Sequence, residues 1–95
     1  MSTEPLEKDA LDLALAALPG WRLDGDKLKK TFVLGDFREA MMFLVRMSYE
    51  AEALNHHPEI HNVYKTVELA LTTHDAGNKV TVKDVELAAA IEAFL

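Results

Sequence analysis

The sequence predicts an α+β fold, a two-layer sandwich in which an antiparallel sheet of about four strands carries three helices on one face. Three observations lead there. Apolar residues recur at helical spacing in three separate segments. They alternate with a period of two in the stretch that ends near Thr73, and clusters of Pro, Gly, Asp and Asn fall between the segments. The 95 residues suit one domain, 1–95, with one core, and they contain no internal repeat, linker or low-complexity run.

Leu6, Ala10, Leu13, Ala14 and Ala17 form the stripe of the first helix, and Pro19-Gly20 stops it. Thr3 is the expected N-cap, which puts Pro5 in the first turn, where a missing N–H costs nothing. Trp21 to Leu23 reads as a short strand, Asp24-Gly25-Asp26 as a turn and Lys27 to Val33 as the partner strand of a hairpin. Lys27, Lys29 and Lys30 read as residues of a solvated strand.

The second helix carries the strongest signal. Asp36 and Glu39 have the spacing of a capping box, with Asp in place of Ser or Thr. Phe37, Ala40, Met41, Leu44, Ser48, Ala51 and Leu54 lie along one face, yet Met42, Phe43, Val45 and Tyr49 make the opposite face apolar too. A helix apolar on two sides in so small a domain calls for a second partner. The expectation is self-association through this helix; the alternative is that the first helix covers that face.

The second helix must end near Asn55 or His56, because Pro58 disfavours α geometry at His57. From Ile60 to Thr73 the chain reads as extended, and a kink at Tyr64-Lys65 divides it into two strands. Val67, Leu69 and Leu71 alternate there with Thr66, Glu68, Ala70 and Thr72. Asp75-Ala76-Gly77-Asn78 is a turn. Thr81 and Asp84 make a second capping box, and Leu87, Ala88, Ile91 and Phe94 are the stripe of a last helix.

Composition excludes several function classes. A net charge of -6 leaves no basic patch to neutralise phosphates, so nucleic acid is not an expected partner. The absence of cysteine removes disulfides and thiolate metal sites. The opening MSTEPLEKDA is acidic, lacks the basic start of a signal peptide, and leads into no run of membrane-spanning length. The expectation is a cytoplasmic protein with no membrane partner.

All four histidines, His56, His57, His61 and His74, fall within one quarter of the chain. Imidazole exchanges protons near neutrality, so such a cluster suits acid–base chemistry. Pro58 sets His56 and His57 at the break between a helix and an extended segment, where side chains line clefts more readily than cores. Glu52 precedes His56 by four residues and would orient its imidazole if the helix persists that far. His74 ends a strand, on the side away from Val67, Leu69 and Leu71.

The residues alone also fit surface or capping roles for each histidine, and Asp84 is explained as the partner of Thr81. Tyr64 would then simply pack. A metal site is less well supported: Pro58 breaks the helical spacing of His57 and His61, and neither an HExxH pattern nor cysteine is present. No glycine-flanked serine marks a hydrolase.

Glu52-x-x-x-His56-His57-Pro58, followed by Tyr64, His74 and Asp84, resembles the signature of the pterin-4a-carbinolamine dehydratases. Leu18-Pro19-Gly20-Trp21, the Phe32 to Phe37 stretch, Thr72-Thr73-His74-Asp75 and the last helix fit the same family. The resemblance implies dehydration of 4a-hydroxytetrahydropterin to quinonoid dihydropterin, which recycles the cofactor of aromatic amino-acid hydroxylases, with neither metal nor bound cofactor. It implies His56, His57 and His74 as catalytic residues, His57 foremost, and Glu52 as their supporting carboxylate. Pro58, Trp21 and Thr73 are the implied substrate-binding residues.

It further implies a homodimer or homotetramer and, as a partner, an aromatic amino-acid hydroxylase. The alternative is a non-catalytic regulatory protein acting on a hydroxylase, in transcription or near molybdopterin metabolism. Ile60 stands where the family often has tryptophan, and His61 where an aromatic or apolar residue is common. His61 is therefore expected to be peripheral.

Overall fold

The computed structural model describes residues 4–95. In chain order the elements among the described residues are α1 (Lys8–Ala16), β1 (Arg22–Asp24), β2 (Lys27–Val33), α2 (Phe37–Leu54), β3 (Glu59–Val63), β4 (Thr66–Leu71) and α3 (Val82–Ala93), with a 3-10 turn, His74–Ala76, between β4 and α3. The sheet is antiparallel throughout, in the order β1-β2-β4-β3. The three helices pack on one face of it, the α+β sandwich expected from the sequence.

Both hairpins close through two-residue loops, because Asp24 pairs with Lys27 and Val63 with Thr66. In the first, Gly25 has a φ of +62°, which glycine adopts without steric cost. In the second, the expected break at Tyr64-Lys65 is a full reversal, with Tyr64 itself at +53°. The Asn62 side-chain amide supports this turn by donating to the carbonyls of Tyr64 and Thr66. Tyr64 is exposed at the loop and does not pack into the core.

Register sorts the strand residues by face. Leu28 lies opposite Leu71 and Phe32 opposite Val67. With Leu69 they form a buried sheet face, covered by Ala40, Phe43, Met47 and Ala51 of α2 and by Leu87, Ala88 and Ile91 of α3. Phe32 and Phe43 stack at 4.7 Å between centroids, and Phe94 extends the aromatic row at 5.8 Å from Phe43. Leu69 is fully buried on a central strand. Leu69→Ala should therefore lower unfolding free energy by about 2–5 kcal/mol in urea titration.

The opposite sheet face is polar and laced with ion pairs, Arg22 to Glu68 at 3.1 Å and Lys27 to Glu59 at 2.9 Å. Lys29 donates to Asp24 and holds that carboxyl below the ordinary carboxylate range. The contact supports the hairpin at neutral pH and is lost as pH falls through the lowered value.

Four expectations are corrected. Thr3 lies outside the described residues, and α1 begins at Lys8 with Glu7 in the N-cap position, so Pro5 precedes the helix. Its core contacts are Leu11 and Leu15, while Leu13 is exposed, because a Leu- and Ala-rich segment permits more than one stripe. The buried stripe of α2 is rotated toward Phe43 and Met47, which leaves Phe37 and Ser48 exposed. Lys30 is not on the solvated face. It sits between Leu28 and Phe32 on the helix side, where its ammonium reaches Glu92 at 2.7 Å and the Pro19 carbonyl at 3.2 Å.

Candidate active site

The site is assembled where α2 stops, β4 ends and α3 begins. The stop is a consequence of Asn55, which takes the left-handed conformation (φ 50°, ψ 45°) that asparagine tolerates. The N–H of Asn55 then bonds to the Glu52 carbonyl and that of His56 to Ala51, which closes the helix end. The helix thus ends at Leu54, two residues short of His56, so Glu52 and His56 do not become neighbours on it. Glu52 instead meets the next histidine: its Oε1 lies 2.7 Å from Nε2 of His57. The expected Glu52–His56 pair is replaced by Glu52–His57, and both side chains are exposed.

His56 turns inward. Its Nε2 lies 2.5 Å from Oδ1 of Asp84, a carboxylate with no exposed surface. The capping box of α3 explains how Asp84 comes to be there. Thr81 caps the helix, and Asp84 Oδ2 accepts from the Thr81 backbone N–H at 2.9 Å. The same oxygen accepts from the Thr73 hydroxyl at 2.8 Å, while the Thr73 and Thr81 hydroxyls are 2.7 Å apart. A carboxylate only accepts, so the hydrogen between it and His56 sits on the imidazole Nε2. Among the described residues no buried side-chain nitrogen or oxygen lacks a hydrogen-bond partner.

His74 opens the 3-10 turn after β4. Thr73 pairs with Lys79 across the base of this loop, and the His74 Nδ1 lies 2.6 Å from Oδ1 of Asn78. The three histidines, with Asn55, Thr72 and Thr73, Asp75 and Lys83, line one cleft of about 220 Å³. Its lining is more polar than apolar. The cleft carries two histidine–carboxylate pairs and a third histidine tied to an amide. Such a set can donate one proton and accept another across a bound molecule.

The remaining expected site residues fall differently. Thr73 lines the cleft, though its hydroxyl is committed to Asp84 and Thr81. Pro58 walls an adjoining apolar groove of about 330 Å³ with Met47, Tyr49 and Ile60, and His57 stands between this groove and the cleft. Trp21 reaches neither. It is buried against Phe32, 6.0 Å between ring centroids, and its indole N–H donates to Glu92 at 2.9 Å, so it is a core residue and not a wall of the cleft.

His61 points to the open sheet face beside Lys29 and Glu68, outside the cleft. No three His, Asp or Glu side chains among the described residues converge as a metal site. Asp84 was legible as a capping residue, but nothing in its spacing from Thr81 reveals that it also holds His56. Lys83 and Asn78 carried no chemical signal beyond a helix start and a turn.

Comparison with known proteins gives this arrangement its family. Residues 4–94 match the family model described as pterin 4 alpha carbinolamine dehydratase. A protein of Opitutus terrae named "Putative pterin-4-alpha-carbinolamine dehydratase" is 60% identical over 82% of this chain and 80% of its own length. A protein of the same name from Mesorhizobium japonicum is 49% identical over 93% of this chain and 91% of its own. The solved transcriptional coactivator/pterin dehydratase of Brucella melitensis superposes with a TM-score of 0.87 at 36% identity, over 94% of this chain and 96% of that one. A pterin dehydratase-like protein described as a RuBisCO assembly factor in the alpha-carboxysome aligns at 0.65 and 25% identity, over 78% and 87% of the two chains. The chain belongs to the pterin-4a-carbinolamine dehydratase family.

Proposed function

We propose that this protein dehydrates 4a-hydroxytetrahydropterin to quinonoid dihydropterin and water, and so returns the spent cofactor of aromatic amino-acid hydroxylases to use. The convergence of His56, His57 and His74 on one small cleft carries this reading. In a carbinolamine the hydroxyl and an amine nitrogen share one carbon. The C–O bond breaks as an imidazolium gives its proton to the departing oxygen, which leaves as water. The N–H proton passes to a neutral imidazole, and the electron pair it leaves forms the C=N bond. His57 is the principal residue, with Glu52 orienting its ring at 2.7 Å. His56, held by Asp84, supports it from within. The residues invoked for these transfers need neither metal nor bound cofactor.

The reaction also runs slowly without a catalyst, so two positioned proton transfers, each worth about 10²–10⁴-fold, suffice. In a coupled assay with phenylalanine hydroxylase and limiting tetrahydropterin, adding the protein should raise the rate at which quinonoid dihydropterin becomes available. A turnover that does not respond to the protein would reject the recycling role.

A second feature bears on assembly. Met42, Val45 and Tyr49 form an exposed stripe at i, i+3 and i+7 on α2, each more than half exposed. We read this as a self-association face for a homodimer or homotetramer. Met42→Glu combined with Tyr49→Glu should shift concentration-dependent sedimentation to the monomer; a parent chain that sediments as a monomer at every concentration would sink the idea. The same face would serve a regulatory protein, the alternative reading; the Brucella relative is described as a transcriptional coactivator/pterin dehydratase and the carboxysome relative as an assembly factor. The histidine cleft favours the enzyme, because a scaffold has no use for it. The expected setting is the cytoplasm, with no nucleic-acid or membrane partner; no helix among the described residues is long and apolar enough to cross a membrane.

A further inference from the structure

We infer that Asn78 is a positioning residue that fixes the tautomer of His74 and thereby makes His74 Nε2 the proton acceptor of the cleft. The inference rests on the dehydratase reading for the word acceptor, but not for the tautomer. Asn78 Oδ1 lies 2.6 Å from His74 Nδ1, within hydrogen-bond reach. A side-chain carbonyl oxygen only accepts, so Nδ1 must carry the hydrogen. In the neutral ring the lone pair then resides on Nε2, the nitrogen left to a molecule in the cleft that His74 lines.

The loop is built to keep Asn78 there. Its φ is +60°, in the left-handed region that asparagine tolerates and most residues do not. Its backbone N–H donates to the Thr73 carbonyl at 3.0 Å, and the Thr73 N–H donates to Lys79 at 2.9 Å, so the residue is pinned on both sides to the end of β4. The three histidines therefore have different partners. His56 and His57 each face a carboxylate, whereas His74 faces a neutral amide. On the dehydratase reading, His57 gives its proton to the departing hydroxyl and His74 Nε2 takes the proton from the adjacent nitrogen.

The test reads the tautomer directly. Two-bond ¹H–¹⁵N correlation on the ¹⁵N-labelled full chain, without substrate and at a pH where His74 is neutral, should place its proton on Nδ1. Asn78→Gly keeps the positive φ without strain and removes the acceptor. It should move the proton population toward Nε2 and lower kcat about 3- to 10-fold, a net hydrogen bond's worth, with KM little changed. Asn78→Asp keeps an oxygen acceptor opposite Nδ1 and should restore the Nδ1–H signature. A wild-type His74 protonated on Nε2, or an Asn78→Gly protein with unchanged tautomer and kcat, overturns the inference. If the tautomer is as stated and the wild-type protein does not dehydrate a carbinolamine, it is the reaction that is wrong and the positioning role that stands.

Discussion

His57→Ala should lower kcat/KM for carbinolamine dehydration by about 10²–10⁴-fold, the range of one positioned proton transfer. The effect should fall on kcat, because the ring acts on the departing oxygen and contributes little to holding the pterin. It should not come through unfolding. The His57 side chain is 59% exposed, and its hydrogen-bond partner is the still more exposed Glu52, so the melting temperature of the variant should stay close to that of the parent. His61→Ala is the matched control. His61 lies on the open sheet face, and its loss should leave the rate within about twofold, as for a surface substitution away from the site. Equal losses in the two variants would remove His57 from its assigned role.

The second large effect is on stability. Asp84→Ala should cost about 3–5 kcal/mol, as expected when one partner of a buried charged pair is deleted. Asp84 has no exposed surface and accepts from three places, the His56 imidazole, the Thr73 hydroxyl and the Thr81 backbone N–H. Truncation leaves all three without that acceptor beneath the cleft, and it removes half of the α3 capping box. Urea titration measures the loss. A decrease below about 1 kcal/mol would mean that Asp84 is an ordinary surface cap, and the buried His56–Asp84 pair would have to be abandoned.

These two variants separate what the site does from what holds it. His57 stands at the surface and acts. Asp84 lies beneath and ties the end of α2 to the start of α3 through His56, so the cleft's inner wall and the fold's stability share the same hydrogen bonds. Thr73 belongs to that inner wall as well: it lines the cleft while its hydroxyl bridges Thr81 and Asp84.

Much of this was legible in the sequence, for physical reasons that differ by element. The limits of β2, Lys27–Val33, and the break at Tyr64-Lys65 followed from alternation and charge, which register enforces when one face is buried. The face of α1 did not follow, because beside Lys8, Asp9 and Asp12 its Leu and Ala residues offer more than one apolar stripe, and a helix this short is placed by its neighbours. The faces of α2 were confused for a related reason. Phe43 and Met42 are chemically similar, and only the packing against Phe32 and Phe94 decides which goes inside.

The histidine cluster was visible, but its pairing was not. Glu52 and His56 are four apart, and the pairing expected from that spacing fails only because Asn55 reverses the backbone one residue earlier. The true partner of His56 comes from a residue 28 positions away, which no local spacing encodes. Trp21 shows the opposite error. A resemblance placed it at the pterin, while the half-buried Glu92 and Lys30 hold it in the core.

The most direct measurement is the decay of chemically generated 4a-hydroxytetrahydropterin, followed by stopped-flow absorbance with and without the wild-type protein. A first-order loss that accelerates in proportion to protein concentration, with quinonoid dihydropterin as the product, is the predicted result. Decay at the rate of buffer alone, at protein concentrations that saturate with pterin, would contradict the assignment of the histidine cleft to this reaction.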